Sequence, residues 1–223
     1  MVEIRDDASA PPADVWQAPA LVNPGSAAPI VHAYASLATA AFSRRDSRLP
    51  GYSGAVEAAR VRGFASAIRS VGGHLAPLHE STLIVDIVAS VVQPQARIRD
   101  RFRRTSDALC AALRQLGVPA QVGEVPGEYC AGEFSVNAAG ERKLAGIAQR
   151  VTGWGFLVSI NLVVDDPEPL REVVEACYRE LGLAVDPSRL GAVSEYLPGV
   201  GVSDITAVVI AELVAGLEDC EPW

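Results

Sequence analysis

The sequence predicts an α+β fold, a mixed sheet packed with helices. Short apolar, β-branched runs bounded by Gly, Pro and Asn read as strands. Several of these follow one another as hairpins between residues 121 and 164. Amphipathic stretches stand among them in blocks, an order that argues against an alternating parallel-sheet protein. The chain has 223 residues, enough for one large domain or a domain with a small appendage. We expect a tail over residues 1–28 and a single domain over residues 29–223.

The tail is acidic and Pro/Ala-rich, with room for a short helix near Ala13-Asp14-Val15-Trp16. Ile30-Val31-His32-Ala33-Tyr34 reads as a strand. Residues 43–54 are polar and punctuated by Pro and Gly, hence a loop. Ser53 is the expected N-cap of a helix over residues 54–61, stopped by Gly63. Residues 67–71 suggest a strand broken by Gly72-Gly73. Thr82-Leu83-Ile84-Val85-Asp86-Ile87-Val88 is a buried strand. Ile98, Phe102, Leu109, Leu113 and Leu116 recur near helical spacing, so residues 96–116 form a long amphipathic helix ended by Gly117. Strands follow at 121–125, 134–136, 143–151 and 156–164, with Asn137-Ala138-Ala139-Gly140 as the turn between the second and third. Asp165-Asp166-Pro167 starts a helix over 167–181, and a last helix follows Ser203-Asp204 to about Gly216.

The net charge is −8, so phosphate repels the chain and nucleic acid is not an expected partner. No run is apolar for the length of a membrane span, and the N-terminus lacks a basic region followed by an apolar one. Cys110, Cys130, Cys177 and Cys220 show neither paired nor metal-type spacing with the three histidines, so no metal is expected. Scattered thiols without a signal sequence suggest the reducing cytoplasm. Residues 97–104 hold five arginines. That run reads first as a solvated face at a helix start, and second as a docking patch for an acidic partner.

Lys143 is the only lysine; the other eighteen basic residues are arginine. A surface lysine exchanges for arginine at little cost, whereas a compact ammonium acting at a site does not. Lys143 follows a Gly-containing turn with Cys130 and precedes a strand in which Gly146 and Ala148 lack bulk, leaving room for a ligand. Alternation places Lys143, Ala145, Ile147 and Gln149 on one face. Thiol and ammonium on neighbouring strands could then meet at one reacting carbonyl. The alternatives are an exposed hairpin lysine and, for Cys130, a small buried hydrophobe. Cys110 and Cys177 sit inside amphipathic helices and read as core. Asp86 lies in an apolar strand and needs a partner such as Arg69, or solvent.

Lys143-Leu144-Ala145-Gly146-Ile147-Ala148-Gln149-Arg150, the upstream Cys130-Ala131-Gly132 and the loop Arg69-Ser70-Val71-Gly72-Gly73-His74 resemble the lipoate-protein ligase A and octanoyltransferase family of biotin/lipoate protein ligases. Ser43-Arg44-Arg45-Asp46 is a weaker match. The resemblance covers about residues 30–215 and is closest to the octanoyl amidotransferase branch. It implies a biotin/lipoate ligase-like catalytic domain that transfers octanoyl or lipoyl groups to lysines of lipoyl domains or glycine-cleavage H proteins, with acyl carrier protein or H protein as donor. It implies that Lys143 polarises the acyl carbonyl and Cys130 carries the thioester. Arg69, Gly72, Gly73, His79, Gly146 and Ala148 would form the substrate site, with His79 favoured over His74 and an alternative base. Lipoate or octanoate enters as substrate and no firm cofactor is expected. The ATP-dependent ligase branch, which alone would need ATP and magnesium, has two arginines and three glycines in its loop; here only Arg69, Gly72 and Gly73 are found. Only about thirty-five residues follow Arg189, too few for that branch's accessory domain. The biotin-ligase Gly-Arg-Gly-Arg loop is absent. The remaining alternatives are that ligase acting through lipoyl-AMP and a non-catalytic protein binding lipoyl groups or fatty acids.

Overall fold

The computed structural model describes residues 3–10 and 29–218. Its centre is a seven-stranded sheet in the order β1-β2-β6-β10-β9-β8-β7. The strands are β1 (Glu3–Ala10), β2 (Ile30–Ser36), β6 (Thr82–Ser90), β7 (Ala120–Val122), β8 (Val136–Ala138), β9 (Arg142–Val151) and β10 (Gly155–Val163). A second sheet of β3 (Thr39–Phe42), β4 (Ala65–Ile68) and β5 (Ala76–Leu78) has the order β4-β3-β5. Pairing is antiparallel except for β1 with β2 and β3 with β4. The helices are α1 (Tyr52–Val61), α2 (Ile98–Gln115), α3 (Pro167–Leu181) and α4 (Val202–Glu218).

The large sheet is covered on both faces. Val31, Val85, Ile87, Val158 and Ile160 pack with Leu109 and Leu113 of α2 and with Ile205 and Val209 of α4. On the other side α1, α3 and the small sheet close a second core around Phe42, Ala55, Val173, Val174 and Tyr178. Two faces covered by helices and sheet explain why β6 and β10 read as nearly continuous apolar runs.

Several expectations are corrected. Residues 3–10, read as part of a tail, pair in parallel with β2; the helix expected near residues 13–16 lies outside the described residues. The first helix begins at Tyr52 and its N-cap is Gly51 without a side-chain cap. Tertiary contact sets that start, since a Cβ on Gly51 would lie 1.7 Å from the Glu180 carbonyl oxygen of α3. Strands β3 and β5 were not expected: they are short, and their alanines and Pro77 are weak strand signals. The strand expected at 67–71 is β4, at Ala65–Ile68. The hairpin strand expected at 134–136 runs instead over Val136–Ala138, and the turn is Ala139-Gly140-Glu141, the first two with φ of 53° and 76°. Asn137 Oδ1 accepts the Gly140 N–H at 2.8 Å, tightening that turn.

The most consequential correction is a β-bulge. Val136 pairs Ala145 while Asn137 pairs Lys143, so the register slips by one residue at Leu144. Leu144 and Ala145 both enter the α2-side core, and Lys143 turns to the face of Gly146 and Ala148. Strict alternation therefore fails at the one residue whose direction matters most.

Candidate functional site

Between β9, β10, the loop at 69–76 and the turn at 129–135 lies a cavity of about 290 Å³, near the lower limit of roughly 300–1,000 Å³ usual for small-ligand pockets. Lys143, Cys130, Arg69, Gly72, Gly73, Gly146 and Ala148 all line it. These are seven of the eight residues expected from the sequence. Its apolar surfaces come from Phe102, Phe134, Ile147 and Ala76.

His79 is not among the lining residues. It is buried, its Nε2 lies 2.8 Å from the Asp166 carbonyl oxygen, and its Nδ1 lies 3.2 Å from Thr82 Oγ1, so it ties the β5–β6 turn to the start of α3. The histidine that reaches the site is His74, through its backbone. Its N–H donates to Cys130 Sγ at 3.1 Å, and its carbonyl accepts from Arg69 Nη2. The ring is fixed from behind by Asp46 Oδ1, 2.6 Å from Nδ1. Asp46 is itself buried and accepts from the N–H and Oγ of Ser43. The Ser43–Asp46 loop therefore anchors the Gly72-Gly73-His74 turn.

Lys143 is 1% exposed. Its Nζ donates to the carbonyls of Tyr129 (2.9 Å) and Cys130 (3.0 Å) and to Glu128 Oε1 (3.2 Å), and stands 4.6 Å above the Tyr129 ring. The same Glu128 oxygen accepts from Gly132 N–H and Ser135 Oγ, while Oε2 accepts from Val125 N–H. Glu128 was not singled out from the sequence; the available signal was an acid two residues before the turn cysteine.

Cys130 has φ of +43°, a conformation that costs a non-glycine residue about 1–3 kcal/mol and clusters at functional sites. It is held there by Tyr178, whose Oη accepts the Cys130 N–H at 2.7 Å. Arg69 Nη2 lies 3.4 Å from the sulfur. Burial pushes the thiol up, but the Arg69 charge, then Lys143, the His74 N–H and the Arg69 hydrogen bond outweigh it and bring the pKa below the ordinary thiol value. By contrast, burial pushes Cys110 and Cys177 up to about 11, as expected of core thiols. Asp86 does not meet Arg69; it accepts from Tyr34 Oη at 3.0 Å. Among the described residues no three His, Cys, Asp or Glu side chains are grouped to hold a metal, and no helix is long and apolar enough to cross a membrane.

A thiol held below its ordinary pKa, a buried ammonium and an apolar cavity with backbone amides nearby suit acyl transfer. The octanoyl-[GcvH]:protein N-octanoyltransferase of Geobacillus kaustophilus is 26% identical over 161 residues, 72% of this chain and 56% of that protein. The protein of the same name from Lysinibacillus sphaericus is 27% identical over 137 residues, 61% of this chain and 49% of its own. The chain thus spans about half the length of the curated relatives it matches. Lipoate-protein ligase A bound with ATP shares the fold at TM-score 0.73 and 18% identity, covering 96% of this chain and 85% of that one. The bi-partite lipoate protein ligase and E2 lipoyl domain structure from Thermoplasma acidophilum does so at TM-score 0.72 and 18% identity, covering 97% and 84%. The lipoyl protein ligase A/B catalytic domain matches residues 25–214, and the chain belongs to that family.

Proposed function

We propose that this chain transfers octanoyl or lipoyl groups onto lysines of lipoyl-domain or glycine-cleavage H proteins through a thioester on Cys130. The observation that carries the reading is the sulfur itself. It receives the His74 N–H, faces the Arg69 guanidinium and lines the same cavity as the buried Lys143.

The Cys130 thiolate attacks the carbonyl of an acyl group carried by an acyl carrier protein or an H protein. The carbonyl electrons move to oxygen, and the positive charge of the nearby Lys143 favours that oxyanion. The proton that the Cys130 thiol gave up on ionising goes to the carrier's departing thiol or amine, and the acyl group stays on sulfur. A neutral lysine amine of the acceptor attacks the thioester next, loses a proton and releases the thiolate. The apolar lining excludes water, which would otherwise hydrolyse the thioester. No ATP enters these steps.

The test is intact mass after incubation with octanoyl-loaded H protein in the absence of ATP. Wild type should gain one octanoyl group and pass it to a lipoyl domain; Cys130→Ala should do neither. An acylated Cys130→Ala chain would remove the thioester from the mechanism, and lipoate-dependent pyrophosphate exchange would favour the ATP-dependent ligase.

A further inference from the structure

The reaction above needs a protein to bring its acyl group or its lysine to the cavity, and a chain of net charge −8 repels an acidic one at a distance. The cavity's open side is marked by the lining residues that reach solvent: Gly72, Gly73, Ala131 and Glu133. Beside it stand Arg97 and about the first two turns of α2. Residues 97–104 contain Arg97, Arg99, Arg101, Arg103 and Arg104 against one acid, Asp100.

These arginines do two different things. Arg101 is buried; it lies 4.4 Å from the Phe156 ring, donates to the Pro94 carbonyl and reaches Gln149 Oε1 at 3.2 Å, so it fastens α2 to β9. Arg99 and Arg103, one helical turn apart, have side chains 75% and 62% exposed. Arg99 pairs with Glu133 at the cavity edge, and its guanidinium sits 5.5 Å from the Phe134 ring, which stacks on Phe102 inside the lining. Exposed apolar side chains lie beside the start of α2. Ile98 is tied by its carbonyl to Gln149 Nε2 at 2.8 Å, Val92 follows β6, and Trp154 accepts the Val91 N–H at 3.1 Å through its carbonyl.

We infer that the rim formed by Arg99 and Arg103 of α2 with Ile98, Val92 and Trp154 is the docking surface for an acidic carrier protein that presents its acyl-bearing or acceptor lysine to the cavity. The proposal rests on the acyl-transfer reading above. A positive cluster at the mouth of an otherwise acidic chain steers an acidic partner to that mouth, and the apolar side chains supply the area that holds it. Both arginines already stand in exposed ion pairs, Arg99 with Glu133 and Arg103 with Asp100 at 3.0 Å; exposed pairs of this kind contribute little to stability, so a partner's carboxylates can take their place.

The test separates docking from chemistry. Binding of fluorescently labelled octanoyl-H protein is measured by anisotropy, and acylation of Cys130 by the neutral small donor octanoyl-N-acetylcysteamine is measured by mass. The variant Arg99→Glu/Arg103→Glu should bind the H protein roughly 10–100-fold more weakly at low salt and lose most of the salt dependence seen in wild type. Its acylation by the small thioester should be unchanged, and Trp154→Ala should weaken binding without altering the salt slope. Unchanged H-protein binding in the double variant overturns the docking surface. Equal loss with the small thioester also overturns it, because the arginines then act on the cavity. Tighter, arginine-dependent binding to duplex DNA than to H protein overturns the choice of partner. A wild type that binds H protein through these arginines yet never becomes acylated leaves the surface standing and sinks the thioester reading instead.

Discussion

Glu128 is the buried counter-ion of Lys143: the two side chains are 3.2 Å apart and effectively closed to solvent. The pair is asymmetric. Without Lys143, Glu128 still accepts from Val125 N–H, Gly132 N–H and Ser135 Oγ. Without Glu128, all three of those donors and the ammonium lose an acceptor. Breaking a buried pair by removing one partner costs about 3–5 kcal/mol. We expect Glu128→Ala to reach that loss in urea unfolding and Lys143→Met to fall well below it, while Lys143→Met abolishes acyl transfer in a chain that remains folded. Equal destabilisation by the two would show that the carboxylate is not the hub of the turn.

The Cys130 thiol is held down chiefly by Arg69 against the upward push of burial. Arg69→Gln should therefore move the midpoint of Cys130 alkylation by iodoacetamide to higher pH. The native thiol lies below its unfolded value, so folding is stabilised increasingly as pH rises between the two, fully above the unfolded value, and not at all below the native one. Wild type should gain stability over Cys130→Ala across that window, and Arg69→Gln should shrink the gain. An unmoved alkylation midpoint would mean that Arg69 does not set the thiol.

How much of this was legible is uneven for physical reasons. The third helix has the bounds expected, Pro167–Leu181, because Pro167 and Gly182, which takes φ of +68°, are local signals. Long apolar strands such as β6 and β10 declared themselves by composition. Strands β3 and β5 did not, since alanine-rich segments become strands only when tertiary neighbours bury them. At the site, Lys143, Cys130, Arg69 and the glycines were readable from residue type and motif. The facing of Lys143 was not, because a single bulge at Leu144 reverses alternation without any compositional mark. The exchange of roles between His79 and His74 was equally hidden: His74 acts through its N–H, which every residue but proline possesses.

Gly73 is where the loop meets the sulfur. It has φ of +95°, and a Cβ there would stand 2.5 Å from both Arg69 Nη2 and Cys130 Sγ. Nothing lies within 4 Å of the corresponding position on Gly72. Gly73→Ala combines backbone strain with displacement of the two groups that set the thiol. Misplacement on the ångström scale costs roughly 10²-fold in rate, so we expect about that loss in single-turnover acylation, with a much smaller effect for Gly72→Ala. Matching effects from both glycines would remove the special standing of the Gly73 contact.

Asp86 pairs with Ser159 of β10, which in turn pairs with Ala148 of the cavity wall, and it carries a cost that pH can reveal. Burial pushes its carboxyl up to about 6, against the opposing hydrogen bonds from Ser159 and Tyr34 and the charge of His32. The native group thus holds its proton where the unfolded one, near 3.9, has lost it. Wild-type stability should fall as pH rises through the interval from about 4 to about 6, and the full cost persists above it. A carboxyl raised that far above its unfolded value costs the folded chain about 3 kcal/mol once both states are ionised. Asp86→Asn, which keeps an acceptor for Tyr34 but carries no charge, should gain on wild type by about that amount between pH 4 and pH 7 in urea unfolding. A stability difference between the two proteins that stays flat across this interval would show that the carboxyl ionises as readily inside the sheet as in water.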